Sequence, residues 1–170
     1  GVLMRRHLVL LVVLVLLLSV VVAAPAGAKQ DAGLKERPFK ATADRVWAEE
    51  SQACPGGEDS YYTGTGTHLG RFELFETLCS TVEFPILTFT VDGLLIAANG
   101  DELHFDVLGT FDLVNMELVE SSGWVFDGGT GRFESASGVA YETLFRDEGG
   151  GIIGVDAVGW ITFDASDRSR

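Results

Sequence analysis

The chain has 170 residues, with 12 Lys and Arg against 25 Asp and Glu, which gives a formal net charge of −13 at pH 7. A surface this acidic repels nucleic acid and anionic membranes, so we expect neither as a partner. The carboxylates are scattered singly along the chain, which favours a role in solubility over a cation site, and we expect no metal and no cofactor.

The N-terminal segment has the organisation of a secretory signal peptide. A basic region at residues 5–7 precedes an apolar run at residues 8–22, and Ala26-Gly27-Ala28 has the small-residue pattern that a signal peptidase needs. We therefore predict a signal peptide over residues 1–28 with cleavage before Lys29. Cleavage at Ala24-Pro25-Ala26 and an uncleaved anchor helix are the alternatives.

Cleavage before Lys29 leaves 142 residues with 10 basic and 25 acidic side chains, a net charge of −15. That length suits one domain with a sizeable core. We predict a flexible leader at residues 29–37, a folded domain at residues 38–165 and a polar tail at residues 166–170. The expected product is a secreted protein with no stable membrane insertion.

Cys54 and Cys79 are the only two cysteines in the chain. In an exported protein an even pair of cysteines indicates a disulfide. Two cysteines with His68 nearby match no zinc-binding spacing, so a metal site is the weaker interpretation.

The rest of the chain alternates polar and apolar residues with a period of two, which predicts strands. Asn99-Gly100 is the strongest hairpin signal, residues 49–60 are expected to form a loop, and residues 63–70 a glycine-rich strand entry. Strands are predicted at residues 39–47, 71–79, 87–97, 102–111, 116–126, 139–145 and 153–163.

No segment after residue 28 shows a convincing helical period. Seven or eight short strands with glycine-rich turns indicate an antiparallel sandwich or barrel. We favour a single eight-stranded antiparallel β-barrel, because closing the sheet removes its two edges.

A glycine-rich turn is predicted between the strands at residues 116–126 and 139–145. Asp127-Gly128-Gly129 interrupts the strand before it, and Gly131 continues the turn up to Phe133. An apolar ring is unusual in such a turn, and we interpret Phe133 as an anchor that plugs one end of the barrel.

Three blocks of sequence resemble a bacterial secreted family grouped with the allene oxide cyclase and dirigent barrel-like domains of the calycin-like set. The blocks are residues 65–72 (TGTHLGRF), 97–103 (AANGDEL) and 128–133 (GGTGRF), and the resemblance extends over residues 39–163. Glu134-Ser135 departs from the small residues that relatives have after Phe133.

The resemblance implies an eight-stranded barrel whose interior can hold an apolar ligand, and it implies homo-trimers, which the plant relatives form. It implies no particular activity, because the matched blocks are turns and strand entries. We identify no catalytic residue that can be transferred to this chain.

Two groups of residues are candidates for chemistry. Glu102, His104 and Asp106 share one strand face, but they alternate with apolar residues and are therefore expected on the solvent side. Glu76 interrupts the apolar face of Phe72, Leu74 and Leu78.

Inside a barrel, the Glu76 carboxylate would have a raised pKa and could serve as an acid, a base or a ligand anchor. A β-bulge that turns Glu76 outward is the alternative. Tyr61, Tyr62 and His68 precede the same strand and are predicted to rim the same opening, or else to serve as amphipathic packing.

The sequence therefore supports three functional hypotheses. The first is a non-enzymatic secreted barrel that binds a small apolar ligand or serves an extracellular interaction. The second is an isomerase or cyclase acting on a lipid-like substrate inside the barrel, and the third is a structural envelope protein with a packed interior.

Overall fold

The computed structural model describes residues 35–164, and these form nine strands and one 3₁₀ turn. The signal peptide, most of the leader and the tail lie outside the described residues. Within residues 35–164, no helix is long and apolar enough to span a membrane. The strands are β1 (Arg37–Glu50), β2 (Glu58–Gly66), β3 (Gly70–Glu83), β4 (Ile86–Ala97), β5 (Glu102–Asp112), β6 (Glu117–Ser121), β7 (Trp124–Gly129), β8 (Ser137–Arg146) and β9 (Ile152–Thr162).

Eight of these strands close into an antiparallel barrel, as the sequence predicts. The hydrogen-bonded order is β4-β3-β2-β1-β9-β8-β7-β5, and β5 pairs back with β4. The pairing of β1 with β9 joins the first and last of these strands, since Phe39 lies opposite Gly159 and Ala43 opposite Val155. β6 is an extra strand that pairs with the outer part of β5.

Alternation along each strand places the apolar side chains inside. On β1, Phe39, Ala41 and Ala43 are buried whereas Lys40 and Thr42 are exposed. The same period of two continues on the facing strands and creates one core. The largest fully buried side chains are Trp124, Phe39, Phe105, Phe133, Leu69, Leu74, Leu95, Leu103, Ile161 and Val155.

One end of the barrel, which we call the closed end, carries the turns after β2, β4 and β7. Phe133 lies in the 3₁₀ turn Gly131–Phe133, has no exposed surface and contacts Phe163 edge-on with ring centroids 5.2 Å apart. Arg132 reaches Asp101 of the neighbouring hairpin at 3.3 Å. The three sequence blocks that carry the family resemblance therefore build the closed end.

The structure corrects the predicted single strand at residues 116–126. The chain leaves β6 at Ser121 and re-enters the barrel at Trp124, because Gly123 adopts a φ of +67°, a left-handed conformation that interrupts pairing. The glycines at 128 and 129 were predicted to end the strand. They instead complete β7, through an irregular register with β5. Gly131 opens the 3₁₀ turn.

The predicted disulfide is confirmed. Cys54 and Cys79 are joined; they are 25 positions apart in sequence and their Cα atoms are 5.8 Å apart. The bond ties the loop between β1 and β2 to the outer side of β3. That loop is shorter than predicted and covers residues 51–57, because β1 and β2 pair as far as Glu50 and Glu58.

Candidate functional site

Glu76 lies on the inner face of β3, near the end of the barrel opposite the closed end. We call this opposite end the mouth. The residues two and four positions earlier, Leu74 and Phe72, are buried in the core, and no bulge intervenes between them and Glu76. Glu76 lies opposite Ser60 on β2 and Gly93 on β4. Its carboxylate therefore enters the interior of the barrel.

Of the three residues predicted to rim the opening near Glu76, the structure brings only Tyr62 to it. Tyr62 lies opposite Leu74, is buried, and its side chain interacts with the Glu76 carboxylate. Successive side chains of a strand point to opposite faces, so Tyr61, one position earlier, faces outward. It stacks between Trp47 and Phe75 on the outer wall.

His68 is separated from Glu76 by the length of β3. It lies in the turn between β2 and β3 at the closed end, where its Nε2 is 3.0 Å from the carbonyl oxygen of Pro38 and its ring contacts Phe163. β3 begins at the closed end, so His68, which precedes β3 in sequence, lies at the closed end and not at the mouth.

Arg45 is a second charged residue inside the mouth. Its Nη2 donates to the Glu58 carboxylate and to the Ser60 hydroxyl, and its Nη1 donates to the carbonyl oxygen of Ile152 at 3.3 Å. The guanidinium also lies over the Tyr62 ring at 5.7 Å. Both terminal nitrogens of Arg45 are thus already partnered.

Glu142 on β8 is the third charged residue of this interior layer. Trp124 Nε1 donates a hydrogen bond of 2.9 Å to its Oε2. Trp124 in turn stacks on Phe105 with ring centroids 4.4 Å apart. A carboxylate from β8 therefore projects into the barrel towards the same region as Glu76 on β3.

The electrostatics of this layer favour neutral carboxyl groups. Burial, and then the charge of Glu142, raise the pKa of Glu76 to about 7, against the smaller opposing effects of Tyr62 and Arg45. Burial also raises the pKa of Glu142, while the Trp124 hydrogen bond lowers it. Burial, followed by the charge of Glu76, raises the pKa of Tyr62 to about 12. Glu76 can therefore exchange a proton near neutral pH.

Aromatic rings fill the core beside this polar layer. The Phe105 ring lies directly over Gly93, where an added Cβ would be 2.1 Å from the ring. Phe39 packs against Phe126 with centroids 4.8 Å apart and against Trp124 at 6.4 Å. The acidic layer is thus bounded by a rigid apolar core towards the closed end.

Towards the mouth, the inner face of the sheet continues as an apolar surface, which we call the apron. Residues opposite one another form its outer row, with Val82 paired to Leu87, Leu87 to Phe111, and Phe111 to Leu118. Phe89 on the same face packs against the core. The side chains of Val82 and Leu118 are 57% and 56% exposed. The apron is therefore an accessible apolar face that begins next to Glu76.

The other candidate group lies outside the barrel, as predicted. His104 is exposed on the outer face of β5, with its Nε2 3.7 Å from Glu102. Within residues 35–164, no group of three or more His, Cys, Asp and Glu side chains is arranged to hold a metal ion.

Three surface depressions on the outer wall are lined mostly by outward-facing residues of β1–β5, and none includes Glu76 or Glu142.

The sequence analysis missed Arg45 and Glu142, although both had a detectable signal. Arg45 follows the apolar series Phe39, Ala41 and Ala43 at the same spacing of two, and Glu142 lies between Ala140 and Leu144 in the same way. Each breaks an apolar face as Glu76 does. The rule that singled out Glu76 applies equally to these two residues.

Comparisons of the chain with family models, with curated proteins and with solved structures each found no match.

Proposed function

We propose that this protein is an exported, non-enzymatic β-barrel that binds a small ligand with an apolar body at its mouth. One observation carries the proposal: ionisable side chains from β1, β3 and β8 converge inside the barrel beside an accessible apolar face. Structural side chains of this type are normally placed on the outer wall, where water solvates them, because burying a carboxylate is costly.

The arrangement also matches the general form of a ligand site. Such sites are mostly apolar, with a few polar groups that fix orientation. Here the apron supplies the apolar part, while Tyr62, Glu76 and Glu142 supply the polar part. The disulfide between Cys54 and Cys79 agrees with an oxidising compartment, and export with cleavage before Lys29 is part of the proposal.

The test is native mass spectrometry of the purified protein. We expect a noncovalent mass that is retained under native conditions, lost on denaturation, and reduced in Glu76→Leu. The matched control is Glu73→Leu, which changes an exposed carboxylate on the outer face of the same strand. Absence of any retained mass, together with no binding of the alkyl probes described below, would contradict the proposal.

A second candidate is an isomerase or cyclase, similar to allene oxide cyclase, acting on a lipid-like substrate. It is favoured by one specific observation, a Glu76 carboxyl that titrates near pH 7 beside a Tyr62 hydroxyl that stays protonated. A general base with a pKa near the working pH is well suited to proton transfer. Glu76 would then take a proton from one position of the substrate and return it at another, which leaves the mass unchanged, and Tyr62 would donate a hydrogen bond to the Glu76 carboxylate.

Chromatography of the retained ligand before and after incubation with protein separates the two candidates. A product of unchanged mass and altered retention, formed by the native protein and lost in Glu76→Gln, supports the isomerase. A ligand recovered unchanged supports binding alone.

A further inference from the structure

The apron is long enough to hold an extended chain. The inner face of β3 continues from Glu76 to Val82, six residues, which corresponds to about 20 Å of strand. Over this distance the paired residues on β4 and β5 are apolar or glycine, with Leu78 opposite Val91, Val91 opposite Val107, and Phe89 opposite Gly109. An alkyl chain laid along this face would cover surface that is now exposed.

The charges at the inner end of the apron do not balance. Arg45 is engaged by Glu58, Ser60 and the Ile152 carbonyl. None of the ion pairs formed within residues 35–164 includes Glu76 or Glu142. Glu142 accepts a hydrogen bond from the neutral Trp124 indole, and the Arg45 charge is the smallest of the influences on the pKa of Glu76. The inner end of the apron therefore holds two carboxyl groups that have no ion-pair partner among the described residues.

We infer that the ligand is a cationic amphiphile, with an alkyl body along the apron and a protonated amine between Glu76 and Glu142. This inference rests on the proposed function and adds the ligand class to it. Charge complementarity decides the head group, because an ammonium between two acidic groups is attracted to both of them in a region of low dielectric. A fatty-acid carboxylate would instead add negative charge beside these two acidic groups, and both terminal nitrogens of Arg45 are already partnered.

A second copy of the chain is a less suitable occupant. Each copy has a formal net charge of −13, so two aprons facing each other would bring two acidic chains together. Like charges that lose water against each other are destabilising.

The experiment compares three probes of one chain length: dodecylamine, dodecanol and dodecanoate, each below its micelle concentration at pH 8. Like a Lys side chain, an alkylamine is charged at this pH. Trp47→Phe/Trp160→Phe leaves Trp124 as the only tryptophan, so its fluorescence reports on binding beside Glu142. We expect dodecylamine to bind at least about tenfold more tightly than the other two probes, a preference of about 1.4 kcal/mol.

Two sets of variants separate the head from the body of the ligand. Glu76→Gln/Glu142→Gln should remove the preference for the amine, whereas the outward pair Glu73→Gln/Glu120→Gln should keep it. Val82→Ser/Leu118→Ser should weaken all three probes by several-fold, whereas Val158→Ser, which changes an exposed valine on the outer side of β9, should not.

Each remaining outcome overturns the inference in a distinguishable way. Equal affinity for the three probes would show that the site binds alkyl chains whatever the charge of the head group, which leaves the proposed function intact. A preference for dodecanoate would assign the head site to Arg45. Self-association that blocks dodecylamine, measured by light scattering, would assign the apron to a second copy. No binding by any probe and no retained mass would remove the proposed function as well.

Discussion

Trp124 and Glu142 are joined inside the barrel by a hydrogen bond of 2.9 Å from the indole nitrogen to the carboxylate. The contact spans β7 and β8, where Trp124 lies opposite Ala140, one step from Glu142 along the inner face. It gives the largest of the fully buried side chains a polar partner, as buried tryptophans generally require. It also holds the Glu142 charge in place, and that charge is one of the causes of the raised pKa of Glu76.

The first prediction is that the protein is less stable at pH 8 than at pH 5.5. The pKa of Glu76 rises from 4.5 to about 7 on folding, so the folded state holds the proton more tightly than the unfolded chain does. This contribution is complete below about pH 4 and is lost as the pH rises through 7. Between pH 5.5 and 8 the loss is about 2 kcal/mol, and the raised pKa of Glu142 acts in the same direction.

Urea denaturation at both pH values measures this effect. Glu76→Gln should show a smaller difference, because a neutral amide replaces the titrating group. The groups that face Glu76 are Arg45 on β1, Tyr62 on β2 and Glu142 on β8, and all three stay in this variant. Glu73→Gln removes one exposed carboxylate and should keep the full difference. Equal pH dependence in both variants would place the titrating group elsewhere.

A second prediction concerns Glu76→Leu, which replaces the carboxyl with an apolar side chain of similar size. The melting temperature should be unchanged or higher, because the desolvation cost of the carboxyl disappears. Ligand retention should fall. A loss of several kcal/mol in the free energy of unfolding would instead make Glu76 a structural group, and the site would be withdrawn.

A third prediction tests the closed end with two phenylalanines. Phe133 has no exposed surface, whereas Phe84 at the tip of the β3–β4 hairpin is 77% exposed. Phe133→Ala should lower the free energy of unfolding by about 3–5 kcal/mol, since it opens a cavity beside the Phe163 ring. Phe84→Ala should change it by no more than about 0.5 kcal/mol. Similar values in the two variants would exclude Phe133 as a plug.

The fourth prediction is that the unfolded, unreduced protein has no free thiol, because Cys54 and Cys79 are joined. A thiol assay that finds two thiols per chain would contradict this. Cys54→Ser/Cys79→Ser should lower the free energy of unfolding by about 3 kcal/mol, since a closed loop of 25 residues then regains its freedom in the unfolded chain. Calorimetry of the variant beside the native protein measures the difference.

Much of the fold follows from local pattern. The period of two along each strand predicts which residues are buried, and it places Glu76 inside from the positions of Phe72 and Leu74 alone. Two cysteines in a chain with a predicted signal peptide suffice to predict the disulfide. The strand break at Gly123 was not predictable in this way, because alternation on both sides of a single glycine resembles one continuous strand.

The composition of the site depends on tertiary structure. Arg45, Glu76 and Glu142 come from β1, β3 and β8, and only barrel closure through the pairing of β1 with β9 brings these strands around one interior. Tyr61 and His68 are as close to Glu76 in sequence as Tyr62 is, yet strand phase turns the first outward and strand direction carries the second to the closed end. Side-chain orientation repeats locally along a strand, and the sequence alone therefore determined which residues face inward. Which inward residues meet depends on register and on which strand ends share the mouth, and only the closed sheet decides both.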